Sequence, residues 1–139
     1  MINIMMADDD EDDRLMFKEA VEETRLICEL KFAVDGEDLL NQIRGVPGEE
    51  LPDLILLDLN MPRKSGTEVL QEIRQDPRLK TIPIVILTTS SAEQDIIKSY
   101  QSGANSFVSK PVTFDGLREK ILSLTDYWFD VVKLPGKEV

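Results

Sequence analysis

The sequence predicts an α/β fold in which one parallel sheet carries helices on both faces. Three observations lead there. Apolar runs suited to strands alternate five times with stretches of helical periodicity. The central run, Leu54-Ile55-Leu56-Leu57, is apolar at every position, as in a strand buried on both faces. Polar groups follow the runs at Asp8, Asp9, Asp58, Thr88 and Lys110, the end of an open sheet where ligands bind.

The elements follow in order. Ile2 to Ala7 is the first strand, and it ends in the acidic run Asp8 to Asp13. A helix comes next, with an Asp as N-cap and acidic residues at its positive end, reaching about Thr24. Ile27 to Val34 alternates apolar and polar residues and forms strand two, with Cys28 as a buried, inert thiol. Asp35-Gly36 marks a turn. Leu39, Leu40 and Ile43 mark a short second helix, ended by Gly45-Val46-Pro47-Gly48. Strand three carries Asp58, and Met61 to Gly66 is a loop. Val69, Leu70 and Ile73 line a third helix that stops before Pro77. Strand four is Ile82 to Leu87, followed by Thr88-Thr89-Ser90-Ser91. Ser90 or Ser91 is expected to cap helix four, with apolar positions Ile96, Ile97 and Tyr100 and Gly103 as its stop. Ser106 to Ser109 is strand five, before Lys110-Pro111. Helix five starts near Thr113 and runs past Trp128.

The bulk numbers bound the function. A chain of 139 residues suits one domain with its own core. A net charge of −11 argues against general binding to nucleic acid or anionic membrane. A single cysteine excludes an internal disulfide and suits a reducing cytoplasm. The start Met1-Ile2-Asn3 lacks a signal-peptide pattern. No segment nears the roughly 20 apolar residues of a membrane span. Histidine is absent, which removes imidazole catalysis and imidazole metal ligands.

The strand ends carry the chemistry. Three carboxylates about 5 Å apart, from Asp8, Asp9 and Asp58, repel by roughly 3 kcal/mol per pair at an effective dielectric near 20. Either one takes a proton or a cation joins them. Hard oxygen donors in this number suit Mg²⁺. Lys110 adds a second positive charge, and two cations around a carboxylate suit an incoming phosphoryl group. Asp58 would then be the nucleophile, forming an acyl phosphate. Thr88 would donate its hydroxyl to the phosphoryl oxygens.

The motifs Ala7-Asp8-Asp9-Asp10, Leu56-Leu57-Asp58-Leu59-Asn60-Met61-Pro62, Gly66, Leu87-Thr88-Thr89-Ser90, Gly103-Ala104 and Phe107-Val108-Ser109-Lys110-Pro111 resemble those of the receiver domain of bacterial response regulators. The resemblance spans essentially the whole chain. It implies a flavodoxin-like (βα)5 three-layer fold with strand order 2-1-3-4-5. It also implies that Asp58 is the phosphoacceptor and that Asp9 ligates Mg²⁺ directly, with Asp8 acting beside it. Asn60 would ligate through its backbone carbonyl. Lys110 would pair with the phosphoryl group, Thr88 would be the switch hydroxyl, and Thr89 would contact the phosphoryl group. Phe107 sits at the switch aromatic, where Tyr is more familiar, so a hydroxyl contact at that surface is expected to be missing. Ser90 and Asn60 match positions that tune dephosphorylation. Such a protein catalyses only its own phosphorylation and dephosphorylation, and takes its phosphoryl group from a histidine kinase.

The receiver domain is expected to occupy 1–126, with 127–139 an extension of helix five and a tail. Leu117, Ile121, Leu124 and Trp128 form one helical stripe that covers the sheet. Tyr127, Trp128 and Phe129 span about 200° of a helix and cannot all face one core. With Val131, Val132 and Leu134 they make an apolar patch that suits a homodimer contact, unless the tail folds back on its own domain. The ending, with Asn60 to Gly66 and Leu87 to Glu93, is similar to stand-alone regulators paired with bacterial and cyanobacterial phytochrome histidine kinases. That resemblance implies a homodimer and a phytochrome-type histidine kinase as donor.

Three other readings compete. A calcium loop could use Asp8, Asp10, Asp12 and Glu19, but Asp13 stands where such a loop needs Gly, and a strand precedes it. A phosphohydrolase of the haloacid dehalogenase class could use Asp8 and Asp10, but it leaves Asp58 unexplained. A phosphorylation-independent adaptor would need none of these reactive residues.

Overall fold

Alternation along each strand decides the layers. The computed structural model describes residues 2–24 and 26–135. Five parallel strands form one sheet: β1 (Ile2–Ala7), β2 (Cys28–Ala33), β3 (Leu54–Leu57), β4 (Ile84–Thr88) and β5 (Ser106–Ser109). Their spatial order is β2-β1-β3-β4-β5, as the resemblance implies. Successive side chains point to opposite faces. Met5, Ala7, Ile55, Leu57, Ile84 and Ile86 therefore join one core with α2 (Gly36–Arg44) and α3 (Gly66–Gln75). Ile4, Met6, Leu54, Leu56, Val85 and Leu87 join a second core with α1 (Glu11–Glu23) and α5 (Phe114–Asp126). The middle strand β3 is apolar at every position because both of its faces are covered. Each Leu or Ile so buried contributes roughly 1.5–3 kcal/mol relative to exposure.

Local chemistry sets the helix ends. Asp10 caps α1, its carboxylate accepting from the backbone N–H of Asp12 and Asp13. Asp35 caps α2, Ser65 and Glu68 form a capping box on α3, and Thr113 caps α5. Gly103 closes α4 (Glu93–Gln101) at φ 106°, a conformation that favours glycine.

Helix α4 departs from expectation. Its N-cap is Ala92, with no side-chain cap, in place of Ser90 or Ser91. The Ser90 hydroxyl is spent instead on Asp95, at 2.6 Å. Ile97 and Tyr100 are about half exposed, and the fully buried residue is Ser99, whose hydroxyl bonds back to the Asp95 carbonyl. Three smaller differences accompany it. Strand four begins at Ile84, because the Ile82 N–H turns back to the Leu79 carbonyl. Strand two is Cys28–Ala33, two residues shorter than the alternation suggests. Cys28 is only half-buried, since β2 is an edge strand, and burial still pushes its thiol pKa up.

After α5 the chain makes one π-helical turn, Tyr127–Val131. The expected apolar patch divides there. Trp128, Phe129 and Leu134 pack into the core beneath α1 and α5, whereas Tyr127 and Val131 stay exposed and Val132 is half-buried. Val132 packs against the same core, so the tail folds back on its own domain at four of the six positions. Leu134 and Pro135 line a crevice with Pro52, Asp53, Ile82 and Pro83, the residues that lead into β3 and β4. This is the end of the sheet opposite the acidic residues. Residues 136–139 of the expected extension lie outside the described residues. No helix among the described residues is long and apolar enough to cross a membrane.

Candidate functional site

The sheet delivers the site by continuing its ladder one residue past the strands. The Asp8 N–H donates to the Ala33 carbonyl, the Asp58 N–H to the Ala7 carbonyl and the Lys110 N–H to the Thr88 carbonyl. Asp8 and Asp58 thus leave the carboxyl ends of β1 and β3, the neighbouring strands where the order of connection reverses. Open α/β sheets bind their ligands at that crevice.

The side chains converge on one ammonium. Lys110 Nζ lies 2.5 Å from Asp8 Oδ2, 2.8 Å from Asp13 Oδ2 and 3.3 Å from Asp58 Oδ2. Asp8 is fully buried, and Asp58 and Lys110 are nearly so. The second Asp8 oxygen accepts from the Asp10 N–H at 2.9 Å, and Asp58 Oδ1 accepts from the Asn60 N–H at 3.3 Å. Arg14 donates to the Asp8 carbonyl at 2.6 Å and pins the end of β1. The loop after β3 is fitted as closely. A Cβ at Gly66 would stand 2.3 Å from the Asp58 carbonyl oxygen, so only glycine allows this approach.

Electrostatics follow from burial. Burial raises the Asp8 carboxyl pKa above the usual carboxylate value, and the Asp58 charge adds to that, against the lowering effect of Lys110. Burial by itself would lower the Lys110 pKa. Its hydrogen bonds to Asp13 and Asp8, with the Asp58 charge, more than reverse this, so the lysine stays cationic.

The sequence-predicted residues fall into four groups. Asp8, Asp58, Lys110 and Thr88 gather at this edge. Asp9 is exposed but close: one carboxylate oxygen from each of Asp8, Asp9 and Asp58 lies within 4.8 Å of the others. Asn60 and Thr89 flank them, both exposed. Phe107 is half-buried and packs on the same core as Met61 and Ala104. The apolar tail residues lie at the far end of the sheet. The oxygen-only donor set suits a hard divalent cation. The Thr88 hydroxyl is buried without a hydrogen-bond partner, a donor available to an oxygen-rich group at this edge.

Two contributors are missing from the sequence reading. Asp13 is the third partner of Lys110. The cap at Asp10 puts Asp13 at the third helical position, where its carboxylate turns back toward the strand ends. The signal was the spacing from cap to Asp13, hidden within an acidic run. The second is Tyr100 on α4, whose hydroxyl accepts from the Phe107 N–H at 3.1 Å. The surface beside Phe107 therefore does carry a tyrosyl hydroxyl, supplied by a neighbouring helix instead of by the switch residue.

Comparison with known proteins bears on the family and the fold. The family model for the response regulator receiver domain matches residues 4–122. Response regulator Rcp1 of Synechocystis sp. is 36% identical over 136 residues, covering 96% of this chain and 92% of that protein. The probable methanogenesis regulatory protein FilR2 of Methanothrix harundinacea is 31% identical over 135 residues, covering 96% of this chain and 87% of that protein. Among solved structures, the phosphorylated cyanobacterial phytochrome response regulator RcpA superposes with a TM-score of 0.91 at 34% identity, covering 97% of this chain and 99% of that one. The Mn(2+)-bound form of Rcp1 gives 0.90 at 34% identity, covering 98% and 100%.

Proposed function

The chain belongs to the response regulator receiver domain family, and from that premise we propose that Asp58 accepts a phosphoryl group from a histidine kinase. As a family member it is a signalling protein of two-component systems, not an enzyme acting on metabolites. The observation that carries the proposal is Asp58 beside the Lys110 ammonium, with an unpartnered Thr88 hydroxyl one residue further along the neighbouring strand.

The transfer balances simply. A carboxylate oxygen of Asp58 bonds to phosphorus while the bond from phosphorus to the donor histidine nitrogen breaks. That nitrogen takes a proton from solvent. Lys110 offers an N–H to the phosphoryl oxygens, and Asn60 holds the other Asp58 oxygen through its backbone N–H. Asp8, Asp9, Asp58 and the Asn60 carbonyl would hold Mg²⁺, which when bound neutralises charge on the transferring group. Thr89, exposed at the rim, is assigned a contact to the phosphoryl group.

The phosphoryl group replaces the single carboxylate charge with close to two and brings three acceptors. The Thr88 hydroxyl gains a partner it lacks in the resting state, and Phe107 turns inward, changing the surface formed by α4, β5 and α5. A charge-assisted hydrogen bond present in only one state contributes roughly 1.5–3 kcal/mol, a shift of about tenfold to a hundredfold in a two-state balance. The likeness to phytochrome regulators supports a phytochrome-type kinase as donor. Exposed Tyr127 and Val131, with Val132, support a homodimer contact at the tail.

Phosphotransfer from a panel of radiolabelled histidine kinases tests the reading. Label should move to the wild type within seconds from a cognate kinase and not to Asp58→Asn. Equal labelling of the two proteins would contradict it. Sedimentation of wild type against Tyr127→Asp with Val131→Asp tests the dimer, which the paired charges should dissociate.

A further inference from the structure

We infer that Asp13 is a positioning residue for Lys110, holding its ammonium at the acceptor when the other two carboxylates are drawn to a divalent cation. The inference rests on the phosphoacceptor role of Asp58.

The lysine ammonium has three N–H donors, and three carboxylates take them. Two of these, Asp8 and Asp58, belong to the trio whose oxygens can hold a metal ion, and Asp13 does not. A cation on Asp8 and Asp58 would weaken two of the three acceptors of Lys110. It would also repel the ammonium directly. Asp13 is the partner whose charge the metal does not share.

Asp13 is also built to stay in place. It sits in the first turn of α1, its backbone N–H held by the Asp10 cap, and its side chain is 19% exposed. Its separation from Lys110 is 2.8 Å, against 3.3 Å for Asp58. Lys110 can therefore keep one N–H on Asp13 while another reaches a phosphoryl oxygen on Asp58. With a cation on Asp8 and Asp58 and Asp13 removed, a flexible four-carbon stem carries a charge with no fixed anchor.

The test uses acetyl phosphate, whose transfer to Asp58 releases acetate without a proton. Phosphorylation rates of wild type, Asp13→Asn and Asp13→Glu are measured against Mg²⁺ and donor concentration. The ammonium ¹H–¹⁵N signal of Lys110 is recorded in each protein, both metal-free and loaded with Mg²⁺ and beryllofluoride. Loss of one charge-assisted hydrogen bond should lower the saturating rate of Asp13→Asn about tenfold or more, with Mg²⁺ half-saturation kept within about threefold. Asp13→Glu should recover most of that rate. The ammonium signal should be sharp in both wild-type samples and in metal-free Asp13→Asn, where Asp8 and Asp58 still hold it, and broadened away in Asp13→Asn loaded with Mg²⁺ and beryllofluoride.

An unchanged saturating rate together with an unchanged ammonium signal would overturn the inference and leave Asp58 as acceptor. Parallel losses of rate and Mg²⁺ affinity would also overturn it, by putting Asp13 among the metal ligands. If Asp13→Asn proves too unstable to assay, Asp13→Ser loaded with Mg²⁺ and beryllofluoride decides: a broadened ammonium signal supports the inference and a sharp one overturns it. Wild type left unmodified at Asp58 would remove both the inference and the function it rests on.

Discussion

The backbone of Gly66 packs against the carbonyl oxygen of Asp58 so closely that a Cβ there would lie 2.3 Å away. The Gly66 N–H also donates to the Leu59 carbonyl at 3.0 Å, so the start of α3 and the end of β3 form one fitted unit. Gly66→Ala forces the backbone carrying Asp58 to shift. The expected cost is about 1–3 kcal/mol, as for other overpacked sites. Urea unfolding measures it, and the same variant should phosphorylate more slowly. Wild-type stability and rate would show that the loop accommodates a methyl group.

Thr88 presents the opposite case, a buried hydroxyl with no partner in the resting protein. Leaving such a group unsatisfied costs about 1–3 kcal/mol. Thr88→Val, nearly the same shape, should therefore raise the resting stability by about 1 kcal/mol. With Mg²⁺ and beryllofluoride present, the order should reverse, because only the wild type gains the new bond. Unfolding midpoints with and without the phosphoryl mimic decide it. A valine variant stabilised as much as wild type by the mimic would remove Thr88 from the switch.

Asp8 sets a pH dependence. Its carboxyl pKa lies above 3.8, raised foremost by burial. The folded protein thus keeps this proton to higher pH than the unfolded chain does. Its contribution to stability falls as pH rises from the unfolded value through the raised one. A divalent cation must displace the same proton, so Mg²⁺ affinity should climb with pH across that window and then level off. Calorimetric titration in two buffers of different ionisation heat counts the protons released. An affinity flat from acid to neutral pH would contradict the assignment.

Much of this was legible in the sequence, and the exceptions have a common cause. Strand identity and order of elements followed from apolar runs, because burial on both faces leaves few other patterns. Asp8, Asp58, Thr88 and Lys110 were legible because each ends or follows a strand. Asp13, Tyr100 and the covering of α4 were not. Each depends on where a side chain reaches after the helices have docked, and helix α4 buries a serine while leaving Ile97 and Tyr100 half exposed. The aromatic tail was legible in part: Trp128 lies on the inward stripe and Tyr127 is exposed, while the burial of Phe129 comes with the π-helical turn.

Arg74 illustrates such a long-range contact. From α3 it donates to the carbonyls of Gly103, Lys80 and Ile82 and to the side chain of Asn105, which itself accepts from the Ile84 N–H. One guanidinium thus ties α3, the approach to β4 and the turn before β5. Arg74→Met keeps the stem and removes the donors. A loss of about 2–4 kcal/mol is expected from several charge-assisted bonds, partly relieved by water. Hydrogen exchange should loosen first at the start of β4 and the turn at Gly103. Unchanged exchange there would contradict the tie.

The central claim is that Asp58 carries the phosphoryl group, and site mapping tests it most directly. Wild type treated with acetyl phosphate and Mg²⁺, reduced with borohydride and digested, should yield a reduced aspartyl residue at position 58 alone. The product should vanish when Mg²⁺ is chelated. A reduced residue at Asp8, or none at all in metal-replete protein, would contradict the account.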